Sequence, residues 1–148
     1  MIGIAVAVGA CSKGSDSISF NLDANGNALG GYDAVAYFAV NNAVKDNPKY
    51  EYVWKGAKWF FASEENMKKF QTDPEAYTPQ YGGYCSYALS EGYTANGDPE
   101  AWKVVDGKLY LNYSPKVKEK WEQDQDTRID KGNQNWQGFK TKKPEHKS

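Results

Sequence analysis

Two pairs of short aromatic and β-branched runs meet at two-residue turns, Lys55-Gly56 and Asp106-Gly107. A two-residue turn of this kind can only join neighbouring antiparallel strands, because its positive φ angles match the twist of a hairpin. Residues 50–54 and 57–61 flank the first turn, and residues 102–105 and 108–113 flank the second. They predict two β-hairpins. Helix signals surround them. Ser63 is placed to cap a helix that opens with Glu64 and Glu65 and keeps Met67 and Phe70 on one face. Asp73-Pro74-Glu75 opens a short turn. Ser114-Pro115 opens another helix, with Val117 and Trp121 at spacing four. Residues 85–90 read as one or two helical turns ended at Gly92, and Ile129 and Trp136 anchor a last helical segment. Residues 34–40, Ala-Val-Ala-Tyr-Phe-Ala-Val, read as a buried strand, and Asp98-Pro99-Glu100 as a short turn. The sum is an α+β fold, a small antiparallel sheet built from two hairpins with helices packed against it.

With 148 residues the chain suits one compact domain, and no linker or change of composition divides residues 18–139. Residues 140–148 carry lysines and little apolar content and are expected to be a polar tail. Residues 1–17 differ in kind. The run Met-Ile-Gly-Ile-Ala-Val-Ala-Val-Gly-Ala-Cys is uncharged and shorter than the ~20 residues that span a bilayer. It resembles the end of a signal peptide, and Val8-Gly9-Ala10-Cys11 resembles a lipobox with Cys11 as the lipidated residue. A lipid-anchored, periplasm-facing place in a bacterial envelope is the expectation. Net charge is -1, from 18 basic and 19 acidic residues, which leaves no basic surface for nucleic acid.

The histidine count is one, His146 in the polar tail, so Cys-His zinc sites and Ser-His-Asp or Cys-His catalysis have no base or ligand in the domain. Neither a phosphate-binding loop nor a dinucleotide fingerprint is present. The remaining candidate is Cys85, the one cysteine of the predicted domain. It follows Gly82, Gly83 and Tyr84, with Tyr87 just beyond. Read as packing, it is a small buried hydrophobe. Read as chemistry, it needs a thiolate, which a helix N-terminus favours by lowering the thiol pKa. One echo accompanies it. Gly30-Gly31-Tyr32-Asp33-Ala34-Val35-Ala36 resembles Gly82-Gly83-Tyr84-Cys85-Ser86-Tyr87-Ala88, which suggests that two similar turns present a carboxylate and a thiol at similar positions.

From about Phe20 to Trp136 the chain resembles the YHS-domain proteins of bacterial envelopes. The residues that carry the likeness are Leu29-Gly30-Gly31-Tyr32-Asp33-Ala34-Val35-Ala36-Tyr37-Phe38, Gly56-Ala57-Lys58-Trp59-Phe60-Phe61-Ala62-Ser63-Glu64-Glu65-Asn66, Tyr81-Gly82-Gly83-Tyr84-Cys85, and Asp98-Pro99-Glu100-Ala101-Trp102 with the hairpin after it. The resemblance implies metal binding, with copper the metal suggested. It also implies soft-metal or redox chemistry at Cys85, where some members of this longer group carry selenocysteine. The cysteine ligands of shorter YHS domains are absent here, where the matching stretches read Tyr32-Asp33-Ala34 and Ala62-Ser63-Glu64. The expectation is therefore a single-thiol site: Cys85 as thiolate, Asp33 orienting it, taking its proton or joining it on a metal, and Tyr32, Tyr84 and Tyr87 with Gly82 and Gly83 lining the pocket. An envelope redox or metal-handling partner would complete it, because one thiol cannot close a dithiol cycle. The other reading is a non-catalytic module that binds a ligand or protein, with Cys85 as packing.

Overall fold

The computed structural model describes residues 20–45 and 47–141. The signal-like segment 1–17 and residues 142–148 of the expected tail lie outside these. In chain order the elements are α1 (Ala36–Ala39), β1 (Asn47–Trp54), β2 (Ala57–Phe61), α2 (Glu64–Thr72), α3 (Ser86–Glu91), β3 (Asp98–Val105), β4 (Lys108–Asn112), α4 (Pro115–Glu122) and α5 (Gln125–Thr141). Short 3-10 turns occupy Leu29–Gly31, Pro74–Ala76 and Gln80–Gly83. The class is α+β. The two hairpins form two separate two-stranded antiparallel sheets rather than sharing one.

The two turns form as their residues dictate, with Lys55 at φ 50° and Gly56 at 76°, and Asp106 at 51° and Gly107 at 75°. Ser63 Oγ accepts the Asn66 N–H at 3.1 Å, and Ser114 Oγ accepts that of Val117 at 3.2 Å. Two local expectations give way. Residues 36–39 are helical, not a strand, because the Asp33 carboxylate accepts the Val35 and Ala36 N–H groups and starts a helical turn. The run Ala34 to Val40 is apolar throughout and so carries no periodicity that would tell helix from strand. Asp98, Pro99 and Glu100 lie inside β3, where a break in register between Asp98 and Trp102 takes up the proline as a bulge. α5 runs to Thr141, so its last two residues fall within the segment 140–148.

The chain is built twice. Every register pair of the second hairpin is a pair of the first moved 51 positions along: Asn47↔Phe61 and Asp98↔Asn112, Tyr52↔Trp59 and Lys103↔Tyr110, Trp54↔Ala57 and Val105↔Lys108. Both hairpins bulge at the same place. Their caps, Ser63 and Ser114, correspond too. Ahead of each hairpin, Leu29, Gly30 and Gly31 (φ 55°, 57°, 89°) match Tyr81, Gly82 and Gly83 (φ 57°, 63°, 89°). Then Asp33 bridges Phe60 as Cys85 bridges Leu111. The Gly-Gly-Tyr echo is the visible trace of this duplication.

The halves share an interior. Leu109 and Leu111 of β4 sit in one cluster with Leu29, Val35, Trp59, Phe61 and Phe70 of the first half. Tyr37 donates its hydroxyl to the Pro99 carbonyl at 2.9 Å and packs edge-on against Trp102 at 5.1 Å between ring centroids. A second cluster, Tyr81, Leu89, Tyr110 and Trp121, lies under α4 and α5.

Candidate functional site

Asp33 and Cys85 occupy the same place in the two halves, each at the start of a short helix and each closed from solvent, at 0% and 1% exposure. Asp33 Oδ1 accepts Val35 N–H at 2.8 Å and Ala36 N–H at 3.2 Å. Its Oδ2 accepts Ala62 N–H and Asn66 Nδ2–H, both at 2.8 Å. Four donors thus hold the carboxylate, which matches the demand that a buried charge be fully hydrogen-bonded.

Cys85 meets a similar set of donors with a single atom. Ala88 N–H donates to Sγ at 3.4 Å, and the backbone amides of Tyr113 and Tyr87 also favour its ionised form. Ala88 corresponds to Ala36, Tyr87 to Val35 and Tyr113 to Ala62. A sulfur cannot supply the two oxygens of a carboxylate, and Asn112 makes up the difference. Its Oδ1 accepts Tyr87 N–H at 2.9 Å and the Cys85 thiol proton, with sulfur and oxygen 3.7 Å apart. Asn112 is fully buried where the first half has Phe61. Its Nδ2 has no hydrogen-bond partner, and neither has the buried Ser86 Oγ next to Cys85.

The charge state follows from a competition. Burial pushes the Cys85 thiol above its ordinary value of 9.0, and the three amides pull it back only in part. The expectation that a helix start would lower the pKa is therefore corrected: desolvation wins, and the resting group at neutral pH is the thiol.

The pairing of Asp33 with Cys85 is not what the structure shows. No hydrogen bond joins them, and the Asp33 oxygens are already held by donors of the first half. The tyrosines do not gather on the sulfur either. Tyr32 donates its hydroxyl to Glu100 Oε2 at 2.7 Å, Tyr84 packs against Trp136, and the Tyr87 ring lies 4.1 Å beneath the Arg128 guanidinium. Gly82 and Gly83 shape the turn that leads to Cys85. Asn112 is the residue that sequence reading passed over. Its signal is a polar residue that ends the apolar run Leu109-Tyr110-Leu111 at a position where the first hairpin has Phe61.

Among the described residues no group of three or more His, Cys, Asp or Glu side chains could hold a metal ion. One sulfur beside one carboxamide oxygen does not make a multidentate centre. Residues 35–81 match the family model of the YHS domain. The YHS domain is associated with metal binding. No curated protein and no solved structure matches the chain. The YHS match runs from α1 through α2 to Tyr81, so Asp33, Cys85 and the equivalent second half all lie beyond it.

Proposed function

We propose that this is an envelope lipoprotein, anchored through Cys11, whose YHS-like scaffold presents Cys85 as a single-thiol redox site. The observation that carries the reading is the acceptor role of the sulfur: it takes the place of a buried carboxylate and faces three backbone amides. Those amides stabilise negative charge on sulfur whenever the thiol gives up its proton. Cys85 is the free cysteine among the described residues, so an external thiol or a metal-handling protein would complete any cycle. Metal binding by the same sulfur is the second reading: the YHS domain's association with metals supports it, and a lone thiolate suits a soft ion such as copper(I). Alkylation of the folded protein across pH, with copper(I) competition titrations on wild type and Cys85→Ser, tests both. Reaction that rises with pH and is lost in C85S supports the thiol site, and tight copper(I) binding lost in C85S selects the second reading. A Cys85 inert to both reagents in the folded state leaves it as packing in a non-catalytic binding module.

A further inference from the structure

The reading of Cys85 as a redox site can be taken one step further, and the step rests on that reading. A cysteine sulfinate has the shape and charge of an aspartate: one carbon from the backbone, then a central atom with two oxygens sharing a negative charge. The first half of this molecule already holds an aspartate at this place. We propose that Cys85 is a site of oxidation by peroxide to the sulfinate, and that the second half accepts the product as the first half accepts the Asp33 carboxylate.

Three donors are in position. Ala88 N–H points at the sulfur, Tyr113 N–H corresponds to the Ala62 N–H that holds Asp33 Oδ2, and Tyr87 N–H corresponds to the Val35 N–H that holds Oδ1. The fourth donor of the first half, Asn66 Nδ2, has no counterpart by position, since Val117 stands there. The second half instead carries Asn112, whose carboxamide touches the sulfur through Oδ1 while its Nδ2 is buried without a partner. A buried amide donor left unpaired is costly and calls for an explanation. A half-turn of the carboxamide supplies one. With the thiol, Oδ1 faces the S–H proton. With the sulfinate, Nδ2 turns to the new oxygen, and Tyr87 N–H passes from Asn112 Oδ1 to the other.

The chemistry balances with two peroxide molecules. The sulfur attacks the first, the O–O bond breaks, an S–O bond forms, and the thiol proton leaves with the second oxygen as water. The resulting sulfenic acid takes an oxygen from the second peroxide in the same way, releases another water, and gives its acid proton to solvent. Sulfur loses two electrons in each step and one peroxide is reduced each time. Peroxide is small, and α3 is a six-residue helix whose first turn need only open locally to admit it.

The test is peptide-level mass spectrometry and thermal melting of the folded chain after treatment with hydrogen peroxide, on wild type, Cys85→Asp and Asn112→Asp. The expected result is a gain of two oxygen atoms on the Cys85 peptide with no fall in the melting midpoint. Cys85→Asp should melt no lower than wild type, and N112D, which sets a carboxylate against the new charge, should lose most of the two-oxygen product. A wild-type product that stops at one oxygen or at a mixed disulfide overturns the proposal and leaves the thiol-site reading standing. So does a sulfinate that unfolds the chain, or a C85D protein that fails to fold. A Cys85 inert to peroxide and to alkylation alike overturns both.

Discussion

Asp33 and Cys85 are twins by position and unequal in energy. Asp33→Ala would take the acceptor from the Val35 and Ala62 amides and from Asn66 Nδ2, and leave Ala36 N–H only its bond to the backbone carbonyl of residue 33. Unmet donors in that number should lower stability by about 3 kcal/mol or more, measured by denaturant unfolding. Cys85→Ala removes one weak acceptor and a small volume, and should cost less than half as much in the same measurement. The two cysteine protonation states also predict a pH dependence. The folded chain holds the Cys85 proton more tightly than the unfolded chain does, because burial raises its pKa above 9.0. Folded protein therefore binds more protons in that range, and stability falls as pH rises. Its contribution is complete below pH 9.0 and is lost as pH climbs through the folded value. Tyr37 and Tyr81, both raised by burial above the ordinary 10.0, add to the loss at higher pH. Unfolding free energies at pH 7 and at pH 10 should differ, and Cys85→Ser should remove the part that begins near pH 9.0. A slope unchanged in that variant would show that the thiol is not its source.

At the scale of elements, the hairpins are the most independent parts of the design. Gly56 and Gly107 adopt φ of 76° and 75°, and a Cβ at either would meet nothing within 4 Å. Replacing either by Ala should then cost only the backbone strain, about 1 kcal/mol. Gly97→Ala is different in kind, since its Cβ would lie 2.2 Å from the Gly83 carbonyl oxygen. It should cost well over 2 kcal/mol, because backbone must move, and thermal melts of the three variants give the comparison. The contrast also shows what a sequence can reveal. Turn glycines, serine caps and proline at helix starts act through their immediate neighbours, so both hairpins and the capped helices α2 and α4 were legible from residues alone. The four-residue helix α1 was not, because its start depends on Asp33 and the run Ala34 to Val40 is apolar throughout, with no period to read. The bulge that absorbs Pro99 was not, because it needs the opposite strand. For the site, Cys85 and its place beside a helix start were readable, while Asn112 became significant only when the hairpins were superposed in register.

At the scale of the whole molecule, duplication did not produce two independent domains. The first-half core contains Leu109 and Leu111 of the second hairpin, and Tyr37 and Tyr32 reach across to Pro99 and Glu100. α5 has no counterpart in the first half, and it covers the second. Asn135 Nδ2 donates to the Leu89 carbonyl at 2.6 Å, Arg128 reaches Ser90 Oγ at 2.9 Å, and Gly132 lies so near Tyr81 that a Cβ would stand 2.7 Å from its hydroxyl. Either half alone would expose the leucine or aromatic surface that the other now buries. The described chain should therefore unfold in one step. Amide exchange at Trp54 and Trp59 of the first hairpin and in α3, together with near-ultraviolet circular dichroism, should report one midpoint in urea. Gly132→Val, which forces α5 off Tyr81, should lower that midpoint for every probe together. It should also speed alkylation of Cys85 by lifting the cover from α3. If the first-half tryptophans instead kept their midpoint while α3 exchange accelerated, the halves would be separate folding units and the shared core would not be what couples them.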